Sequence, residues 1–327
     1  MPNIWLRRLR RLIGKVVEQP NELLYGPIVY TEDAVNMSGL ETQDYIYEHI
    51  MSKQPLLVTR FGSTEMTSLM DSSNQWSIRN LVRYLLNQSD TIGYHPWTLS
   101  NMEQYSGFYP STAQNNLRYY KLILDILGDI DLLGSWMLQE NVFLTKDNKW
   151  GGVKRCRLSD LESFRFSNPW SAALEGKKVL VIHPFEATIR HQYEKNRERL
   201  FADKRVLPEF ELITIKAVQS IAGNRPDGFP TWFDALEWME KEIDETEFDV
   251  AILGCGAYGM PLAGYIKKKG KIAIHMGGAT QYMFGIRSKR ADDAIPEVRA
   301  LYNDYWIRPF SEDRPKGAEL VENGCYW

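Results

Sequence analysis

From Lys178 to His275 four short apolar runs alternate with three longer stretches of helical character, a pattern that few folds accommodate. The runs are Lys178–His183 (KVLVIH), Phe210–Ile215 (FELITI), Asp249–Leu253 (DVAIL) and Lys271–His275 (KIAIH). Each is short and nearly continuous in apolar residues, which predicts a strand buried on both faces rather than a half-exposed one. Between them, Ala187–Phe201, Trp232–Ile243 and Tyr258–Lys269 carry helical spacing. Strands joined by helices of about a dozen residues make βαβ units, hence a parallel sheet covered on both sides. Earlier, Glu41–Ser52 reads as a helix. Pro55 opens a strand over Leu56–Thr59, and a new helix starts near Ser63, with Ser63 as its cap and Glu65 in its first turn. Residues 78–138 read as mainly helical, broken around Gly93–Pro96 and Gly107–Pro110.

The expectation is an α/β chain with a Rossmann-like, mostly parallel sheet, helices on both faces, and a helical insertion in the N-terminal half. Residues 21–327 are expected to form a single catalytic domain, its lobes (roughly 21–167 and 168–327) meeting near Ser167–Gly176. Residues 1–20 form a basic segment ahead of it. No internal repeat or low-complexity tract interrupts the chain.

A formal net charge of −3 provides no field to attract a phosphate backbone, so nucleic acid is not an expected partner. Cys156, Cys255 and Cys325 are odd in number and lack CxxC spacing, which disfavours a disulfide framework or a structural zinc site and fits a reducing cytosol. No apolar run approaches the roughly 20 residues that span a bilayer. The pairs Arg7-Arg8 and Arg10-Arg11 are followed by no uninterrupted apolar stretch of the signal-peptide kind. The expected location is cytoplasmic. Placed on a helix, Ile4, Trp5, Leu9, Leu12, Ile13, Val16 and Val17 fall mostly on one side, with Arg7, Arg8, Arg10, Arg11 and Lys15 opposite or at the borders. Such a helix can lie on an anionic leaflet at the inner face of the membrane. The same pattern also fits a terminal helix packed on the body, or a basic tail.

Ligands of open parallel sheets bind beyond the carboxyl ends of the strands, and four strand-end loops here carry glycine, histidine or a carboxylate. They are Arg60–Glu65, His183–Glu186, Gly254–Gly259 and His275–Gln281. Gly254, Gly256 and Gly259 form a GxGxxG between strand and helix, a spacing that lets a backbone approach a phosphate at a helix N-terminus. The next strand ends in His275-Met276-Gly277-Gly278 without the acid that would hold a dinucleotide ribose, so the glycines read equally as tight-turn residues. His183 and His275 each end a strand, as substrate contacts or as structural histidines. Glu186, three residues beyond His183, is a candidate general base or a helix cap. Tyr258, Gly277, Gly278 and Gln281 add donors and close-approach positions. Arg287, with Lys289 and Arg290 beside it, suits a diphosphate, and equally a solvated basic face.

Two of these blocks carry a family resemblance. Leu56–Glu65 (LLVTRFGSTE) resembles the hallmark segment of GT-D glycosyltransferases, a strand followed by Arg-aromatic-Gly-Asp-x-Glu, and Asp249–Phe284 resembles the later strand, glycine loop, helix and strand of the same family. The resemblance covers about half the chain. It implies a single α/β domain, a UDP-sugar donor, and a divalent metal (Mn2+ or Mg2+) held with help from the Asp-x-Glu carboxylates. Arg60, Gly62 and Glu65 match the motif, whereas Ser63 stands where the family has its aspartate. Glu65 is then the remaining candidate metal ligand, or the reaction is metal-independent and basic residues neutralise the diphosphate.

The resulting expectation is a hexosyltransferase of bacterial surface polysaccharide or capsule synthesis, acting on a glycan or lipid-linked acceptor. Glu65, His183 and Glu186 would perform the chemistry. Arg60, Gly62, Ser63, Gly254, Gly256, Tyr258, Gly259, His275, Gly277, Gly278, Gln281 and Arg287 would hold the nucleotide-sugar. Two alternatives stand beside it: an NAD(P)-dependent oxidoreductase using the GxGxxG loop, and a non-catalytic nucleotide-sugar-binding subunit of a glycan assembly complex.

Overall fold

The computed structural model describes residues 5–10, 34–86, 92–145 and 153–327. Seven strands form one sheet: β1 (Leu56–Thr59), β2 (Leu132–Ser135), β3 (Lys154–Arg157), β4 (Lys178–His183), β5 (Glu211–Lys216), β6 (Val250–Leu253) and β7 (Ile272–His275). Their order is β3-β2-β1-β7-β6-β4-β5 and every neighbouring pair is parallel. The fold is α/β and Rossmann-like. Strands from both sides of Ser167–Gly176 share the sheet, with Leu57 of β1 in register with Ala273 of β7. The principal helices are α1 (Gly39–Ser52), α2 (Ser63–Ser73), α3 (Ile78–Leu85), α4 (Thr98–Tyr105), α5 (Ala113–Ile126), α6 (Leu138–Thr145), α7 (Glu186–Leu200), α8 (Trp232–Asp244) and α9 (Gly259–Lys268).

The continuous apolar character of the inner strands is explained by burial on both faces. All residues of β1, β6 and β7 are buried, whereas the edge strands β3 and β5 keep exposed positions. Side chains alternate between two cores. Leu57, Leu180, Ile182, Ala251, Leu253 and Ala273 join one, under α5, α8 and α9. Leu56, Val58, Val179, Val181, Ile252 and Ile274 join the other, under α1, α7 and the chain's last segment with Trp306 and Trp327.

Local chemistry sets where the helices begin. Ser38 and Glu41 form a reciprocal capping box, so α1 starts two residues before the expected Glu41. Thr231 and Asp234 do the same for α8. The stretch read as helical over residues 78–138 needs correcting, because β2 lies inside it. Leu132–Ser135 is too short to show a period of its own, and only pairing with β1 and β3 makes it a strand. β3 was not expected either, since three of its four residues are cationic and its exposed edge relaxes the demand for apolar side chains.

Of the basic amphipathic segment, residues 5–10 are helical; the remainder lies outside the described residues. No described helix is long and apolar enough to cross a membrane. All three cysteines are free and buried.

Ile274 sits fully buried in a central strand. Ile274→Ala is expected to cost about 2–5 kcal/mol through lost burial and the cavity left behind, read as a lowered urea midpoint with an unchanged slope.

Candidate functional site

Parallel pairing sends every strand's carboxyl end to one edge of the sheet. Six of the seven strand-end loops, all but that of β3, meet there around a cavity of about 480 Å³. Its walls are Arg60–Glu65 after β1, Trp136 after β2, His183–Phe185 after β4, Ala217–Ile221 after β5, Gly254–Tyr258 after β6, and His275, Gly277 and Gly278 after β7. Gln281, Arg290, Glu322, Tyr326 and Trp327 close the far side. Thus Arg60, Gly62, Ser63, Glu65, His183, Gly254, Gly256, Tyr258, His275, Gly277, Gly278 and Gln281 line one space, a volume typical of a small-molecule site. Gly259, Glu186 and Arg287 are not on its lining.

The two buried histidines are neutral. The amide of Phe185 donates to His183 Nδ1 at 2.9 Å, which assigns the ring proton to Nε2. Burial pulls the His183 pKa down to about 3. With its accepting nitrogen engaged, His183 is a hydrogen-bond donor at the cavity wall and not a base, which corrects its expected role with the acceptor proton. His275 Nδ1 lies 2.9 Å from Thr59 Oγ1, and burial, reinforced by the nearby Arg60 charge, lowers its pKa to about 3 as well.

The glycines of the GxGxxG are needed for these rings. A Cβ on Gly254 would stand 2.6 Å from His183 Cδ2 and 2.8 Å from the Gly277 carbonyl. On Gly259 it would stand 2.2 Å from His275 Nε2. The motif therefore locks the loops after β4, β6 and β7 together, as the tight-turn reading of these glycines requires. Gly256 alone in the motif needs a positive φ, at +58°.

Arg60 carries the site's distinctive chemistry. Its guanidinium lies over the Trp136 ring, 5.3 Å from the centroid, and its Nε is buried with no hydrogen-bond partner among the described residues. Burial lowers its pKa, opposed chiefly by the Glu65 carboxylate. Beside it, α2 begins without a side-chain cap. Gly62, not Ser63, occupies the N-cap, and Glu65 curls back so that a Cβ on Gly62 would strike its Oε2. An uncapped helix start next to an unsatisfied guanidinium is suited to an anion.

Two expected contributors do other work. The Glu186 carboxylate accepts from the Thr214 hydroxyl at 2.6 Å and from Arg190 at 2.7 Å, facing β5. Burial works to raise its pKa, but those hydrogen bonds hold it below the ordinary value, so it is no base for the cavity. Arg287 donates to the Asn303 carbonyl and lies over Tyr302. In its place Arg290 reaches the cavity, ion-paired with Glu322. Burial alone would lower Arg290, yet Tyr326, Cys325 and Glu322 together hold its pKa above the usual value. Tyr258 stacks on Trp232 at 4.6 Å and 8°, and the Gln281 amide donates to the carbonyls of Arg287 and Tyr326, both at 3.2 Å, so these two support the wall. Trp136, Glu322 and Tyr326 carry no motif. Trp136 follows the unexpected β2, and the other two come from the last segment.

The residues do not fit a divalent metal. Ser63 supplies no carboxylate, Glu65 faces the Arg60 cation, and Glu322 is paired with Arg290. Among the described residues no group of three His, Cys, Asp or Glu side chains is placed to hold an ion. Asp71 offers no replacement, because it accepts from the His95 amide and ring and from Thr98. Glu65 as a metal ligand therefore has no second protein carboxylate to share the ion with among the described residues.

No family model matches the chain, and no curated protein matches it. Among solved structures the chain is similar to one described as "The highly conserved domain of unknown function 1792 has a distinct glycosyltransferase fold". The two are 15% identical over 83% of this chain and 81% of that one, with a TM-score of 0.35, a superposition too loose to bear on this chain's chemistry.

Gly259→Ala is expected to cost about 1–3 kcal/mol by forcing the His275 ring from its place, read as a lowered thermal midpoint. The histidines also set an acid limb. Unfolded, each binds a proton near pH 6.5, and folded only near pH 3. Between those values the unfolded state holds more protons, so stability rises with pH, by at most about 1.4 kcal/mol per pH unit for each ring. Urea midpoints measured across that window should show a shallower slope for His183→Gln than for the parent chain. An unchanged slope would mean that the ring is not buried neutral.

Proposed function

We propose that this cavity binds a nucleotide-sugar and that the protein is a glycosyltransferase of the GT-D type. The observation that carries the reading is Arg60, a guanidinium with a buried, unpartnered Nε beside the uncapped start of α2, at the edge of the sheet where strand-end loops converge. A diphosphate satisfies both: its oxygens accept from the guanidinium and from the free amides of the first helical turn. The motif resemblance in Leu56–Glu65 supports the same assignment and favours a UDP-sugar donor. A glycan or lipid-linked acceptor in surface polysaccharide synthesis is the corresponding partner.

In the transfer, the acceptor hydroxyl oxygen forms a bond to the anomeric carbon as the bond from that carbon to the diphosphate oxygen breaks. Glu65 is the cavity carboxylate without a hydrogen bond to a described residue, and it takes the acceptor proton. The electron pair leaves with the diphosphate, whose charge is stabilised by Arg60 and the α2 amides instead of a metal. His183, neutral and protonated at Nε2, donates to the sugar or to a phosphate oxygen.

Calorimetric titration with UDP-, GDP- and CMP-sugars tests this directly. Binding of one class is expected to persist in a chelator. Arg60→Ala is expected to weaken that binding and to lower kcat on the order of a hundredfold or more, as removal of one oxyanion donor does. Absence of binding by every class, or binding that requires added manganese, would overturn the assignment.

A further inference from the structure

The region around the far end of α2, away from the cavity, exposes large apolar side chains. Ile78 is 83% exposed and Val82 46%, one turn apart on the same face of α3, with Trp76 at 64% just before the helix and Trp97 at 55% ahead of α4. Their segments are tied to one place. The Asn80 amide donates to the carbonyls of Ser73 and Gln75, and the Gly93 amide to that of Asn74, so the starts of α3 and of the α4 approach both gather at the carboxyl end of α2. The helix over residues 5–10 joins them, with the Arg10 guanidinium 4.6 Å from the Tyr84 ring centroid. It exposes Trp5 at 71% and Leu9 at 43%, again one turn apart.

Charge identifies the occupant. Residues 5–10 and 74–86 contain Arg7, Arg8, Arg10, Arg79 and Arg83 and no carboxylate, in a chain whose net charge is −3. Exposed tryptophan, branched aliphatic side chains and arginine together match the boundary between lipid headgroups and acyl chains. A second copy of this chain fits poorly, because a two-fold contact would set the same arginines against one another. We propose that α3, the adjoining Trp76 and Trp97, and the helix over 5–10 form one docking surface for an anionic lipid bilayer. This does not depend on the reaction assigned to the cavity, and it is measured without donor or acceptor.

Flotation of the full chain with phosphatidylcholine vesicles, with and without phosphatidylglycerol, tests it. Binding is expected to the anionic vesicles and to weaken as salt is raised. Arg79→Gln should weaken binding about fivefold, the equivalent of about 1 kcal/mol for one basic residue near an anionic surface. Ile78→Ser with Val82→Ser should weaken binding further at unchanged charge. Both sites are solvent-exposed, and circular dichroism would confirm that the fold is kept. Failure to float with anionic vesicles would overturn the proposal. So would equal binding to neutral ones, or a concentration-dependent dimer that the Ile78/Val82 pair abolishes.

Discussion

At the carboxyl edge of the sheet the loops after β4, β6 and β7 interlock around two imidazoles, and they do so only because Gly254 and Gly259 present no side chain there. The rings of His183 and His275 occupy the space a Cβ would take. Enclosed in this way they cannot hold a proton near neutral pH, since transferring an imidazolium out of water without a partner is unfavourable. The packing therefore fixes the electrostatics. Two potential cations are silenced, and the positive charge of the cavity rests with Arg60 and Arg290.

Those two arginines are not equivalent. Arg290 is bound into the last segment through Glu322 and Cys325 and holds that wall of the cavity closed. Arg60 is flanked by Trp136 and faces Glu65, but its Nε lacks a partner among the described residues. A buried donor left unsatisfied costs roughly 1–3 kcal/mol, and a ligand oxygen that meets it recovers that free energy. The same loop, with Ser63 in it, presents a guanidinium and a bare helix start, and under the function proposed these would stabilise a diphosphate by hydrogen bonding where a metal would do so by coordination.

How much of this could be read from sequence follows from where each residue is buried. β1, β4, β6 and β7 were legible because a parallel strand covered on both faces must be apolar throughout. β2 and β3 were not, because four residues show no period and an edge strand tolerates Lys154, Arg155 and Arg157. The GxGxxG stands at its expected position on the sheet edge, but its packing against His183 and His275 is not legible in sequence: spacing marks where a backbone must come close, but not whether a phosphate or an imidazole lies opposite. Glu186 was misjudged because the first turn of α7 directs it toward Thr214 and Arg190, which becomes visible only once β5 lies beside β4. Trp136, Glu322 and Tyr326 reach the cavity from segments without any local signal.

The geometry also links the cavity to the arginine-rich face. α2 begins at the cavity with Ser63–Glu65 and ends beside Trp76, and α4 runs from Trp97 back to Tyr105, next to Ser106 on the cavity wall. Eleven residues of α2 at about 1.5 Å each place the two ends roughly 16 Å apart. Packed against each other, these helices act as a rigid spacer, because a helix buried along one side does not shorten. Were the proposed docking to hold, with a bilayer at the Trp76–Ile78–Val82 face, the cavity would stand about one helix length from the headgroups. If both proposals hold, a lipid-linked acceptor would span that distance with its glycan while its lipid stays in the membrane, whereas a freely diffusing acceptor would gain nothing from the arrangement.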